Sequence, residues 1–214
     1  LAKSMSLENG KTEMWYILDA QKDAKLNKGF SKNIDKKEFR KRIENESIEE
    51  IMNSVTVNKD DVFFIPAGTV HNIGKGIVLA EIQQSSDATF RVYDFNRKDQ
   101  RGNKRELHLD EAELASDFRT DPDLKNVFER KINEKVTLVK SEYFETKRIT
   151  INETFGFHYN SKNSFRILMC IHGQGEIKGD FQSESINLGD TFLIPADLKE
   201  FRIETSSGLE VLEC

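Results

Sequence analysis

Residues 61–67 read DVFFIPA, and residues 190–196 read DTFLIPA. Five of the seven positions are identical, and the copies contain Pro66 and Pro195, two of the chain's three prolines. So short and apolar a repeat reads as one β-unit used twice, which predicts two related β-domains. The copies then diverge. The first continues Gly68-Thr69-Val70-His71 and the second Asp197-Leu198-Lys199-Glu200. A histidine past the proline turn in one copy, against a glutamate in the other, predicts one working site and one copy kept for architecture.

A chain of 214 residues can bury a substantial core and hold one or two domains. Its net charge of -5 and pI near 5.5 argue against nucleic acid as a partner, because Lys and Arg are interleaved with Asp and Glu as on a solvated surface. No apolar run approaches the roughly 20 residues of a membrane span. Two cysteines, Cys170 and Cys214, make no disulfide framework, so the expected compartment is a reducing cytoplasm. The sequence leaves the oligomeric state open, with a monomer favoured. The chain opens Leu1-Ala2-Lys3, without an initiator Met or a signal-peptide pattern, and an upstream segment is expected to be missing.

Residues 14–18, 62–65, 77–82 and 89–93 are apolar strand candidates. Asp35 to Glu38 and Ser47 to Glu50 have capping-box spacing before apolar residues, which predicts two short helices within about 35–54. Asp110 opens a further expected helix with Leu114 and Phe118 on one face, and 119–135 reads as a polar connection with helical character. From Val136 onward short strands alternate with turns, among them His172-Gly173-Gln174-Gly175 and Asn187-Leu188-Gly189-Asp190. This spacing suggests a sandwich or jelly roll.

In residues 66–71 proline ends a strand, glycine allows a tight turn, and the next strand starts with an imidazole. An isolated histidine there is usually a satisfied hydrogen bonder, but the turn context resembles the second motif of the cupin superfamily, whose histidine binds metal. Glu13 stands at the entrance of the MWYIL strand, where a carboxylate is usually just exposed. Paired with His71, it would give the mixed donors that borderline metals such as zinc accept. Asp87 and Arg91 lie close together in the densest polar run, 81–95, either as a salt-bridged turn or with the arginine as an oxyanion or phosphate binder.

GKTEMWYIL (10–18), IPAGTVHNIGKG (65–76) and EIQQSSDATFRVYDFNR (81–97) together resemble the type I mannose-6-phosphate isomerases, in particular the short bacterial form. The resemblance runs from about Lys11 through His108. It implies two tandem cupin-like jelly-roll domains in a mainly β chain with a small helical insertion. The first would be an incomplete catalytic domain at 1–107, followed by a helical linker at 108–135 and a degenerate cupin at 136–214.

The implied activity is zinc-dependent interconversion of mannose 6-phosphate and fructose 6-phosphate, with one zinc ion per chain. The family's ligands are a Gln-x-His-Pro pair, a glutamate matching Glu13 and a histidine matching His71. Gln-x-His-Pro does not occur in these residues, so the remaining ligands are expected upstream of Leu1. Lys11 matches a lysine facing the sugar, Arg91 the catalytic arginine, and Asp87 an aspartate proposed to assist proton transfer. Arg97 falls where a basic residue could help hold phosphate. The implied partner is a small sugar phosphate. The alternatives are a non-catalytic sugar-binding or regulatory cupin and a metal-dependent cupin oxidoreductase, which would want more histidines. His108, His158 and His172 lack a ligand partner at useful spacing, and Cys170 reads as a small buried hydrophobe.

Overall fold

The computed structural model describes residues 10–95, 97–160 and 164–214. It divides into two compact units, Leu1–Asn126 and Val127–Cys214. Most of the expected linker therefore belongs to the first unit. The reason is packing: Ala112 is buried in that unit's core.

In the first unit, β1 (Glu13–Ala20) is the central strand of an antiparallel sheet with β4 (Val62–Ile65) and β6 (Ile77–Gln83). A second antiparallel sheet orders β3 (Met52–Thr56), β2 (Lys25–Phe30) and β5 (His71–Ile73). Trp15, Ile17, Phe63 and Ile65 from one sheet join Leu26 and Val55 from the other in one buried cluster, so apolar burial holds the two sheets face to face.

The helical insertion contains α1 (Lys36–Glu44) and a 3-10 turn at Ile48–Ile51. Asp35 caps α1 as its spacing predicts, its carboxylate accepting from the Glu38 backbone N–H at 2.7 Å. Ser47 makes no such side-chain bond, and its segment closes only a single tight turn. Phe39 and Ile43 bury the helix face expected for them.

Three expectations fail locally. Residues 89–93 are not a strand. Phe90, Val92 and Tyr93 instead pack on the cluster around α1, so apolar burial is achieved without ladder hydrogen bonds. Helix α2 (Leu109–Ala115) starts from His108 rather than Asp110, and it buries Ala112 while Leu114 is exposed. Residues 119–135 are irregular apart from the start of the next strand.

The second unit is all β, as expected. Its sheet orders β7 (Lys135–Lys140), β8 (Glu145–Ile151), β14 (Leu209–Glu213), β10 (Arg166–Gly179), β13 (Glu200–Glu204) and β9 (Thr154–His158). The long β10 pairs with β12 (Thr191–Ile194) and β14 through its first part, and with β11 (Phe181–Asn187) and β13 through its second. The register with β14 breaks between Cys170 and His172, so His172 and its glycines lie inside β10 rather than in the expected hairpin turn. The curled sheet encloses one core, in which Phe157 stacks on Phe201 at 4.5 Å. Cys170 is buried there, as expected.

The repeat is the same local structure twice. Each copy supplies a short strand, β4 or β12, and each proline carbonyl accepts a bond from three residues on, Thr69 N–H or Leu198 N–H, at 3.1 Å. The likeness extends upstream. Asp61 accepts from Asn58 N–H at 2.7 Å, and Asp190 accepts from Asn187 N–H at 2.8 Å. Each turn then releases the chain into β5 at His71 or β13 at Glu200.

Candidate active site

Strand periodicity puts Glu13 and Trp15 on one face of β1, two residues apart. Both are 1% exposed. A carboxylate that deeply buried needs donors, and it has them. The Trp15 indole N–H donates to Glu13 Oε2 at 2.9 Å, and the Lys11 ammonium donates to Oε1 at 2.7 Å. Lys11 also reaches Glu81 Oε1 on β6, at 3.0 Å. Burial works against the Lys11 ammonium, but these two carboxylates outweigh it and hold the amine above the ordinary lysine value.

The turn carrying the histidine is closed against α2. Gly68 has φ +91°, and a Cβ there would sit 2.6 Å from the Ala115 carbonyl oxygen, so only glycine fits. The Gly68 carbonyl accepts from Asp117 N–H at 2.9 Å. His71 follows with its ring set edge-on to Trp15, centroids 5.1 Å apart. His71 Nδ1 lies 2.7 Å from the Thr69 carbonyl oxygen. A carbonyl can only accept, so that nitrogen carries a proton, and in the neutral ring Nε2 is left with the free lone pair. Nε2 is 3.8 Å from Glu13 Oε1, which makes the two atoms neighbouring donors for one cation. Among the described residues, no group of three His, Cys, Asp or Glu side chains converges on a metal position.

A cavity of about 560 Å³ opens on these residues, a size suited to a small metabolite. Lys11, Glu13, His71 and Arg91 all line it. Arg91 is held firmly. Its backbone N–H donates to His108 Nδ1 at 3.1 Å, its carbonyl accepts from His108 N–H at 2.8 Å, and its Nη1 donates to the Glu106 carbonyl at 3.0 Å. His108, which the sequence sets aside only as a metal ligand, clasps the segment that carries the cavity's arginine.

Asp87 and Arg97 stand apart from this constellation. Asp87 is exposed and outside the lining, although its neighbours Ala88 and Thr89 belong to it. The Arg97 side chain is 62% exposed, its guanidinium on Asp94 and over the Phe95 ring, and it too is outside the lining. In the second repeat, Glu200 stands where His71 stands in the first and faces His158 at 3.5 Å, with both side chains exposed.

The family description "Mannose-6-phosphate isomerase, cupin domain" matches residues 134–211, which lie in the second unit. Over 199 residues the chain is 35% identical to the mannose-6-phosphate isomerase ManA of Bacillus subtilis, covering 92% of this chain and 62% of that protein. It is 32% identical to the mannose-6-phosphate isomerase of Streptococcus mutans over 209 residues, 96% of this chain and 64% of that one. The crystal structure of the Bacillus subtilis mannose 6-phosphate isomerase superposes with a TM-score of 0.85 at 30% identity, over 100% of this chain and 67% of that chain. The chain belongs to the mannose-6-phosphate isomerase family. It spans less than two thirds of the length of these curated relatives.

Within this isomerase family framework, sequence reasoning missed Trp15, Glu81 and Arg105. Trp15 was detectable from its position two residues after Glu13 on the same strand. Glu81 sits opposite Trp15 across the β1–β6 ladder, a register that tertiary pairing decides. Arg105 lines the cavity from a segment whose sequence carries no signal of the approach.

Proposed function

We propose that this protein interconverts mannose 6-phosphate and fructose 6-phosphate, and that zinc is its metal. The observation that carries the proposal is the meeting of Lys11, Glu13, His71 and Arg91 at one cavity, from three separate stretches of a chain in this family. Two tetrahedral ligands of a zinc ion stand roughly 3.3 Å apart. Glu13 Oε1 and His71 Nε2, at 3.8 Å, come within a small side-chain adjustment of that. The hydrogen bonds behind the two donors also fit, because the Nδ1 bond to Thr69 fixes the imidazole and the indole fixes the carboxylate. Glu13 and His71 would hold the ion together with ligands outside these residues, and the bound metal would act as a Lewis acid on the substrate's neighbouring oxygens.

The chain's own groups account for much of the remaining chemistry. The reaction moves a proton between C1 and C2 of the sugar, and negative charge grows on the adjacent oxygen. The Arg91 guanidinium, held by the Glu106 carbonyl while His108 holds the Arg91 backbone, would meet that charge without rearranging. Lys11 stays an ammonium, so it would donate to a sugar hydroxyl rather than take a proton. Asp87 is the proposed proton carrier; it adjoins cavity wall residues, and Asp87→Asn tests it. The two cysteines are free, in keeping with a proposed cytoplasmic location. No helix among the described residues is long and apolar enough to cross a membrane.

The test is the isomerase assay on protein expressed from the complete gene. Conversion should require metal and fall by at least 100-fold in Arg91→Ala. Activity that survives both chelation and Arg91→Ala rejects the assigned roles. Sugar-phosphate binding without isotope exchange at C2 rejects catalysis and leaves a binding protein.

A further inference from the structure

We infer that Arg105, not Arg97, anchors the phosphate group of the substrate, and that Asp94 positions it. This rests on the sugar-phosphate reading above.

The chain between Arg91 and His108 leaves the cavity and comes back. Its return is built on Asp99, whose Oδ1 accepts from the backbone N–H groups of Arg101 and Asn103 at 2.8 and 2.9 Å. Lys98 and Lys104 pair across this turn as an isolated antiparallel bridge. The clasp between His108 and Arg91 closes the excursion. Arg105 is thereby brought to the same cavity as Arg91, fourteen residues away along the chain.

Asp94 then separates the two candidate arginines. It is 6% exposed, buried enough to need cationic partners. Arg97 takes Oδ1 with Nη2 and the Asp94 carbonyl with Nε, the latter at 3.2 Å, and remains outside the cavity. Arg105 meets the carboxylate through Nε, 3.4 Å from Oδ2, and lines the cavity. No hydrogen bond to the Arg105 guanidinium occurs among the described residues. Its outer edge is therefore available as a fork, the geometry that takes two oxygens of a phosphate at once.

Charge supports the same assignment. The charged side chains of the lining are the cations Lys11, Arg91 and Arg105 and the carboxylate Glu13, a net of +2 counting His71 and Tyr93 as neutral, with Glu81 on Lys11 and Asp94 on Arg105 outside the lining. A phosphate monoester carries about −1.5 to −2 near neutral pH. Lys11 is already bound by two carboxylates, and Arg91 has the reacting oxygens to serve. Arg105 is the remaining cation.

The experiment compares Arg105→Gln, Arg105→Lys and Arg97→Gln in protein from the complete gene, with circular dichroism confirming the fold. Inorganic phosphate is the probe, measured as a competitive inhibitor and directly by phosphorus NMR. Arg105→Gln should weaken phosphate about tenfold and raise the KM for mannose 6-phosphate similarly, with kcat nearly unchanged. Arg105→Lys should fall between, because it keeps the charge and loses the fork. Arg97→Gln should weaken phosphate less than Arg105→Gln. The inference is overturned if phosphate binds Arg105→Gln as well as it binds the parent, if Arg97→Gln is the more damaging, or if kcat falls at constant KM. An inactive parent protein would defeat the isomerase reading, while the NMR titration would still judge Arg105.

Discussion

Gly68 ties the histidine turn to the end of α2, and replacing it with alanine measures that tie. Two costs apply. A left-handed backbone costs an L-residue about 1–2 kcal/mol, and φ is +91° here. The new Cβ would also lie 2.6 Å from the Ala115 carbonyl, so the turn or the helix end must move, an overpacking cost of about 1–3 kcal/mol. Gly68→Ala should therefore destabilise by about 2–5 kcal/mol. Gly189 provides the control. Its φ is +92°, yet a Cβ there meets nothing within 4 Å, so Gly189→Ala should show only the backbone cost of about 1–2 kcal/mol. The entropic gain from removing a glycine from the unfolded chain is common to both and cancels in the comparison.

Urea titrations give the two values, with far-UV circular dichroism for the whole chain and tryptophan fluorescence for the first unit. Trp15 is the chain's single tryptophan and packs against His71, so its emission reports on the site itself. If Gly68→Ala costs no more than Gly189→Ala, the turn is not pressed against α2, and the argument that this contact positions His71 is wrong.

Asp35→Ala should lose about 1 kcal/mol with its cap, while Ser47→Ala, whose hydroxyl makes no N-cap bond and only a long 3.4 Å bond to the Arg42 carbonyl, should lose less than Asp35→Ala in the same titration. Phe157→Ala should cost about 3–5 kcal/mol, because the ring is fully buried and stacked on Phe201; a value under about 1 kcal/mol would mean the second core is loosely packed. Burial pushes the Cys170 thiol up, away from the reactive thiolate, so a thiol reagent at pH 8 should leave it unmodified in native protein and label it in denaturant. Rapid native labelling of Cys170 would contradict its place in the core. Trp15→Phe removes a donor from buried Glu13 and should destabilise the first unit by about 1–3 kcal/mol, read by circular dichroism.

Much was written in the chain directly. The repeated heptapeptides predicted two β-units, and both fold to a short strand and a proline turn with the same closing bond. Composition and period suffice for this, because strand alternation, proline and glycine act over a few residues. The spacing of Asp35, Glu38, Phe39 and Ile43 likewise predicted α1 and its buried face. The asymmetry between His71 and Glu200 predicted a single working site; His71 lines a cavity with the buried Glu13, and Glu200 is exposed beside His158.

Other features depended on chain return and on what each segment meets. Residues 89–93 have strand-like composition, yet Phe90, Val92 and Tyr93 pack on the cluster around α1 without ladder partners. Leu114 faces outward, and Ala112 inward, where it joins Phe39 and Ile43 of α1 in the core. Local sequence established the two β-units, their turns and the residue types needed for a cation and an anion. Long-range contacts decided which charges meet: a ladder register set Glu81 beside Lys11, and a loop closed on His108 brought Arg105 to the cavity while leaving Arg97 outside. Spacing along the chain carries no term for such encounters, since they depend on where distant segments end after folding.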